Sequence, residues 1–313
     1  MIVGTGCKSC QTSSNIEIAE AFWTTVQSRY GVLGCTSKWN IEPYGDGART
    51  YDDGNISDDE MQHITQNQLS EQRVMFHRKG PSFLELAKQW LSSTERGYDL
   101  LAPKFDYTPF RTPGSVLSVV AERLQRSAPI SSLLDVCCGT GAALQWLRPL
   151  CCHRIVGIDI SAGMLEVARS TTRCAPGDAH LEFVRANALD MPFGAEFDLA
   201  VCFGAFGHIL PKDEPQLIRQ IAGALKPGGR FVFVTSEMPP KLSKVYWFSR
   251  AFNAAMHLRN WVVKPPFIMY YLTFLLPEVQ TLLEDGGFTV EVHQPFDRPL
   301  ERLRLVIATR EPH

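Results

Sequence analysis

The sequence lacks a strong excess of charge of either sign. Its 313 residues carry a formal net charge of -2, with 31 Lys and Arg against 33 Asp and Glu. A protein whose main partner is nucleic acid usually has a basic surplus, so this balance argues against such a partner. Residues 1–6 have neither a basic segment nor an apolar run, so we expect no secretory signal and a cytoplasmic location.

Long apolar runs and metal-binding motifs are also scarce. The most apolar run, residues 267–276, has ten residues between prolines and is too short to span a bilayer. Cys7 and Cys10 form a Cys-x-x-Cys pair with no second pair downstream, and no His-x-x-x-His motif occurs. We therefore predict no metal site, although the pair leaves open either metal or redox use or an incidental spacing. The odd total of nine cysteines favours reduced thiols.

The most informative stretch is residues 133–144, Leu-Leu-Asp-Val-Cys-Cys-Gly-Thr-Gly-Ala-Ala-Leu. It predicts a buried strand, a glycine turn and the start of a helix. A dinucleotide site would need a third glycine at position 144, which is Leu144. Asp135 at the end of the strand would lie unfavourably beside a pyrophosphate and would suit an ammonium group. The turn thus argues against a nicotinamide oxidoreductase.

A second acid follows at the corresponding place in the next predicted strand. Residues 154–159, Arg-Ile-Val-Gly-Ile-Asp, end in Asp159, 24 residues after Asp135. A carboxylate there can accept hydrogen bonds from both hydroxyls of a ribose. Ser161 then predicts the N-cap of a helix that carries Met164.

Together these segments resemble motifs I and II of the class I S-adenosylmethionine-dependent methyltransferases, nearest to the quinone and other small-molecule branch. The Asn-Ala-Leu-Asp-Met-Pro-Phe run at 187–193 and the Lys-Pro-Gly-Gly turn at 226–229 are also similar to that family. The resemblance implies S-adenosylmethionine as cofactor, with Asp135 at its amino group and Asp159 at its ribose. The other residues that it implies around the cofactor are Cys137 in place of the usual first glycine, Gly139, Gly141, Ile160, Met164, Asn187 in place of the usual acid, Ala188, Phe203 and Gly204.

The resemblance also implies an α/β, Rossmann-like fold with a seven-stranded, mostly parallel sheet. We expect the strand order 3-2-1-4-5-7-6, with strand 7 antiparallel and helices on both faces. Residues 131–313 would form the cofactor-binding domain, with a lid inserted at 238–277 after strand 5. A helical cap would occupy 79–130, and residues 1–78 read as a poorly defined or flexible extension.

The predicted chemistry is methyl transfer to oxygen or carbon of a small, lipophilic acceptor. The loop after the fourth strand lacks the Asn/Asp-Pro-Pro-Tyr/Phe signature typical of methylation at exocyclic or glutamine nitrogen. His208 in that loop is a candidate general base, or else caps a turn or lines the cofactor. Tyr107, like Tyr98, either faces the substrate or packs in the core. The alternative function is a non-catalytic S-adenosylmethionine-binding protein with a partner-facing or membrane-facing lid.

The predicted lid is rich in aromatic residues with basic residues among them. It is open to three interpretations: a helix packed on the domain, an apolar wall over a hydrophobic acceptor, or a surface that makes peripheral membrane contact through 241–277. The sequence does not decide the oligomeric state.

Overall fold

The computed structural model describes residues 79–126, 130–298 and 300–312. The predicted extension at 1–78, with Cys7 and Cys10, lies outside the described residues. Seven strands form one sheet in the order β3-β2-β1-β4-β5-β7-β6. They are β1 Ile130–Val136, β2 Cys151–Asp159, β3 His180–Arg185, β4 Phe197–Cys202, β5 Leu225–Ser236, β6 Phe288–His293 and β7 Leu303–Arg310. Strands β1 to β5 pair in parallel and β7 runs antiparallel to both neighbours. The predicted fold is confirmed.

Central strands of this sheet are apolar on both faces because helices cover both. The last four residues of β1, Leu133 to Val136, are all buried, and Asp135 is the one polar residue among them. One core cluster packs around Phe231 and Phe233 of β5, and a second packs around Leu133 and Leu144 on the other face. A continuous apolar strand is what a doubly covered parallel sheet requires.

Eight α-helices surround the sheet in the described part of the chain. They are α1 Phe83–Trp90, α2 Thr94–Leu101, α3 Gly114–Gln125, α4 Leu144–Leu147, α5 Ala162–Thr171, α6 Glu214–Ala224, α7 Lys244–Val262 and α8 Glu278–Asp285. The Ser161 hydroxyl accepts the Met164 N–H, so the predicted N-cap of α5 is confirmed. Ser82 and Ser93 are the N-cap residues of α1 and α2 and cap these helices in the same way.

Proline and glycine residues set the bounds of two elements. Helix α4 has only four residues, because Pro149 lacks an N–H and the chain continues as a 3₁₀ turn at Arg148–Leu150. Strand β5 begins at Leu225, so the predicted Lys-Pro-Gly-Gly turn lies within the strand. The pairing of β4 with β5 shifts register at this point, and Gly228 takes a positive φ of 74°.

The predicted lid contains helix α7 followed by irregular chain to residue 277. Arg259 is buried on α7 and donates to the carbonyls of Trp90, Ser92 and Pro265, which joins the lid to helix α1. Among the helices that the structure describes, none has the length and apolar content needed to cross a bilayer.

Candidate functional site

The glycine turn after β1 has an unusual backbone. Cys137, Gly139 and Gly141 all have positive φ, at 58°, 54° and 79°. A Cβ added to Gly139 would meet no atom within 4 Å, so this glycine borders open space. A Cβ added to Gly141 would lie 2.7 Å from the Thr172 Cγ2 atom, so that glycine instead allows the turn to pack on α5. The two glycines thus have different roles.

Asp135 is a buried carboxylate that lacks a full set of partners. Its side chain is 2% exposed and its Oδ2 atom has no hydrogen-bond partner in the structure. Burial raises the pKa of Asp135 well above its ordinary value, and the nearby charge of Asp159 raises it further. A buried carboxylate of this kind is stabilised by a cation.

Asp159 lies at the end of β2, the strand next to β1 in the sheet. Its oxygens accept the Gly139 N–H at 3.0 Å and the Ser161 N–H at 2.9 Å. Burial raises the pKa of Asp159, and these backbone donors partly offset that rise. Asp159 therefore fixes the glycine turn, and the two carboxylates lie together at one edge of the sheet.

The residues that the resemblance places around an adenine are differently exposed. Ile160 is 41% exposed at the end of β2, whereas Met164 is 1% exposed inside α5. Ala188 is buried, and Asn187 is exposed. The Asn187 Oδ1 atom accepts the Leu189 N–H at 3.0 Å, so a local turn already uses the oxygen that sequence reasoning assigned to a ligand.

Phe203 and Gly204 follow β4 at the same edge of the sheet. Phe203 packs against the core cluster that contains Leu133 and Leu144. Gly204 is exposed and has a φ of 76°. A Cβ at Gly204 would lie 3.0 Å from the Thr112 Oγ1 atom, so the chain before α3 approaches this loop closely.

Helix α2 covers this edge of the sheet through contacts that sequence reasoning missed. The Asp99 carboxylate accepts the Ser161 hydroxyl at 2.6 Å and the Gly163 N–H at 2.9 Å, both at the start of α5. Glu95 forms an ion pair with Arg185 at the end of β3. The only sequence signal was the Tyr-Asp pair at 98–99, because its partners lie more than 60 residues away.

A second acid of the cap region contacts the glycine turn itself. The Thr140 hydroxyl donates to the Asp106 carboxylate at 2.6 Å, and Arg111 pairs with the same carboxylate. Asp106 lies in a 3₁₀ helix at Ala102–Tyr107. The chain before β1 therefore contacts both the glycine turn and the start of α5.

His208 is part of a hydrogen-bonded chain rather than an isolated base. Its Nδ1 atom lies 2.5 Å from the Ile268 carbonyl oxygen, and its Nε2 atom lies 2.7 Å from the Tyr98 hydroxyl. A carbonyl only accepts, so Nδ1 carries the hydrogen and the neutral Nε2 accepts from Tyr98. Burial lowers the pKa of His208, although the Ile268 carbonyl raises it. Burial and the charge of Asp159 raise the pKa of Tyr98.

The other predicted tyrosine is not the partner of His208. Tyr107 is 38% exposed at the end of the 3₁₀ helix, whereas Tyr98 on α2 donates to the imidazole. The ring of Tyr98 also packs edge-on to Phe105 and stacks on Phe267 from the lid. Sequence reasoning named both tyrosines, and the geometry favours Tyr98.

The irregular part of the lid is fixed onto the loop after β4. Tyr270 N–H donates to the Gly207 carbonyl at 2.8 Å, and the Thr273 hydroxyl donates to the Phe206 carbonyl. The rings of Phe206 and Phe274 stack with their centroids 4.1 Å apart. The lid thus completes the surroundings of His208.

These features fit S-adenosylmethionine. A buried carboxylate oxygen without a partner, such as Asp135 Oδ2, suits a cation, and S-adenosylmethionine carries one in the amino group of its methionine end. The open space at Gly139 gives a ligand access to the backbone, and the partly satisfied Asp159 retains capacity for a diol. Within residues 79–126, 130–298 and 300–312, no group of three His, Cys, Asp or Glu side chains is arranged to hold a metal. The fold and this site resemble those of class I S-adenosylmethionine-dependent methyltransferases.

Comparisons with known proteins find similarity to methyltransferases over part of the chain. Residues 133–229 match the family described as a methyltransferase domain. The O-methyltransferase cnsE of Penicillium expansum is 37% identical over 184 residues, which are 55% of this chain and 59% of the relative. A demethylmenaquinone methyltransferase of Clavibacter sepedonicus is 35% identical over 154 residues, 46% of this chain and 58% of the relative. The chain thus spans less than two thirds of either relative.

Solved structures support the fold. An O-methyltransferase family protein from Burkholderia thailandensis has a TM-score of 0.52 at 20% identity, over 81% of this chain and 70% of that one. The DhpI–SAH complex has a TM-score of 0.52 at 16% identity, over 74% of this chain and all of the other.

Proposed function

We propose that this chain is an S-adenosylmethionine-dependent methyltransferase that acts on oxygen or carbon of a small, lipophilic acceptor. The observation that carries the proposal is the buried, unpartnered oxygen of Asp135 beside an open glycine turn. Asp135 binds the amino group of the methionine end, and Asp159 binds the ribose diol while it also fixes the turn. The similarity to an O-methyltransferase and to quinone methyltransferases supports the same activity.

When bound, S-adenosylmethionine supplies a methyl group that is already activated by the sulfonium. The protein's task is therefore alignment and exclusion of water, which contribute up to about 7–11 kcal/mol through proximity. Cys137, Gly139 and Gly141 form the turn that admits the cofactor. Ile160, Met164, Asn187 and Ala188 surround the adenine, with Phe203 and Gly204 near the methionine end. The Asn187 oxygen accepts the Leu189 N–H and retains a second lone pair for the adenine amino group.

Tyr98 and His208 provide a route for a proton when the acceptor is a hydroxyl. As the acceptor's O–H bond breaks, the Tyr98 oxygen takes that proton. Tyr98 passes its own proton to Nε2 of His208, and the Ile268 carbonyl stabilises the resulting imidazolium through Nδ1. Because the pKa of His208 is lowered by burial, the imidazole is neutral at pH 7 and ready to accept.

Apolar surroundings support a lipophilic acceptor. Phe105 and Phe267 flank Tyr98, and the lid contributes a small apolar cluster around Met256, Phe267 and Tyr270. A charged acceptor would lose hydration there without a compensating partner.

The test of the function combines binding with transfer. Calorimetry should detect binding of S-adenosylmethionine, and methyl-labelled cofactor should transfer label into the organic phase of a lipid extract. Binding without transfer to any extract would favour the alternative, a non-catalytic S-adenosylmethionine-binding protein. Tyr98 and His208 would form the same hydrogen bond if their role were only structural, so the proton route needs a separate test.

The proton route has its own test once an acceptor is found. We expect His208→Gln to lower kcat about 10²- to 10⁴-fold for a hydroxyl acceptor while the KM for the cofactor stays unchanged. Wild-type kcat should be constant above pH 6.5 and fall only below it, because burial lowers the pKa of His208 from 6.5. His293→Gln, at a histidine paired with Glu291 on β6, is the matched control. An unchanged kcat in His208→Gln would reject the proton route but would not contradict the proposed methyltransferase activity.

A further inference from the structure

Helix α7 turns several polar side chains inward and a row of apolar side chains outward. The Asn253 side chain exchanges two hydrogen bonds with the backbone of Tyr271, both at 2.8 Å. Asn260 does the same with Phe267, and Arg259 is 3% exposed. A helix on the surface of a protein in water normally has the opposite arrangement.

The outward face of α7 forms one apolar stripe. Trp247, Ala251, Ala254, Leu258 and Trp261 follow each other at intervals of four and three residues, so they lie along one side of the helix. Trp247 is 64% exposed, Leu258 62% and Trp261 79%, and both alanines are exposed. Leu242 before the helix is also fully open to solvent. An exposed apolar stripe of this length marks a surface for binding.

The charges around the stripe have one sign. Residues 238–277 contain five basic residues and no acidic ones, although the whole chain has a net charge of -2. Arg259 is buried, and the other four, Lys241, Lys244, Arg250 and Lys264, are exposed. A second copy of the chain docked on this face about a two-fold axis would bring like charges together. An anionic partner would instead be attracted.

We infer that helix α7 docks in the interface of a membrane that contains anionic lipids. Its 19 residues lie flat in the headgroup region, with the apolar stripe toward the acyl chains and the basic side chains at the phosphates. Two outward tryptophans suit this depth, because indole rings favour the boundary between lipid and water.

Flotation with vesicles tests this inference on the full chain. We expect binding to phosphatidylcholine vesicles with about 30% phosphatidylserine, weaker binding to phosphatidylcholine alone, and loss of the difference in about 0.5 M salt. Trp247→Ser with Trp261→Ser should lower the partition coefficient at least about tenfold. Lys244→Glu with Arg250→Glu should lower it at least about 25-fold.

Matched controls separate docking from general effects. Trp146→Ser removes another exposed tryptophan, and Arg173→Glu with Lys212→Glu reverses two exposed charges elsewhere, so these variants should bind as the wild type does. Quenching of wild-type tryptophan fluorescence by brominated lipid supplies a readout that needs no variant.

Three results would overturn the inference. They are absence of binding to every vesicle, equal binding by the α7 variants and the wild type, and a dimer in solution that Trp261→Ser dissociates. The last result would assign the stripe to a second copy of the chain.

Discussion

Replacement of Asp135 by Asn separates the effect of this carboxylate on protein stability from its effect on cofactor binding. The carboxylate is buried, one of its oxygens lacks a partner, and burial together with the charge of Asp159 raises its pKa. Without a cation, the ionised carboxylate destabilises the fold. We expect Asp135→Asn to stabilise the ligand-free protein and to weaken binding of S-adenosylmethionine.

The sign of the pH dependence follows from the direction of the shift. Folding raises the pKa of Asp135 above its ordinary value of 3.8, so the folded state keeps the proton to higher pH than the unfolded state does. The stability that the protonated carboxyl contributes is present below pH 3.8 and is lost as the pH rises through the folded-state pKa. The advantage of the variant should therefore be largest at neutral and alkaline pH.

Both effects have a size that can be measured. An unsatisfied buried polar group costs about 1–3 kcal/mol, and each kcal/mol shifts the Tm of a domain of this size by about 2–4 °C. A hydrogen bond between a carboxylate and an ammonium contributes about 1.5–3 kcal/mol. Its loss should weaken cofactor binding by about 10- to 150-fold.

The assay compares two ligands that differ only at the methionine end. Calorimetry with S-adenosylhomocysteine should report the loss in Asp135→Asn, whereas 5′-methylthioadenosine, which has no amino acid portion, should bind the variant and the wild type equally. Asp159→Asn is the matched control and should weaken both ligands. Equal losses for both ligands in Asp135→Asn would refute the assignment of Asp135 to the amino group.

Three further predictions concern the glycine turn and the lid. Gly141→Ala should lower the free energy of unfolding by about 2–4 kcal/mol, because its Cβ would meet Thr172 in a left-handed backbone. Gly139→Ala should cost only about 1 kcal/mol of stability yet weaken S-adenosylhomocysteine, since its methyl enters the open space. Urea unfolding and calorimetry distinguish the two; equal stability losses would contradict the difference in packing. Arg259→Met should cost about 2–4 kcal/mol in urea unfolding, because three backbone carbonyls lose their donor, and an unchanged midpoint would contradict this.

The sheet could be predicted because the residues that identify its strands and turns lie close together in the sequence. Asp135 and Asp159 each end an apolar strand, and the glycine turn between them has a spacing that one fold uses repeatedly. The shortness of α4 was also available from the sequence, since Pro149 stands five residues after Leu144. Strand order followed from the resemblance rather than from any single residue.

The contacts that cover the site could not be predicted from local sequence patterns. Tyr98 and His208 are 110 residues apart, and Asp99 and Ser161 are 62 apart, so no local pattern links them. Helix α7 was recognised as apolar and basic, but composition does not say which face is inward. That decision rests on Asn253 and its hydrogen bonds to the lid backbone.

Helix α2 connects the proposed cofactor site with the proposed proton route. From one short helix, Asp99 contacts the start of α5 beside the cofactor turn and Tyr98 contacts His208 in the loop after β4. Thr94 accepts the Ile268 N–H, and the Ile268 carbonyl holds His208. The lid segment that orients the imidazole is therefore also bound to α7, because Asn260 forms two hydrogen bonds with the backbone of Phe267. If the outward face of α7 lies in a membrane interface, its inward face holds the segment that orients His208, so the proposed membrane surface and the proposed proton route share one helix.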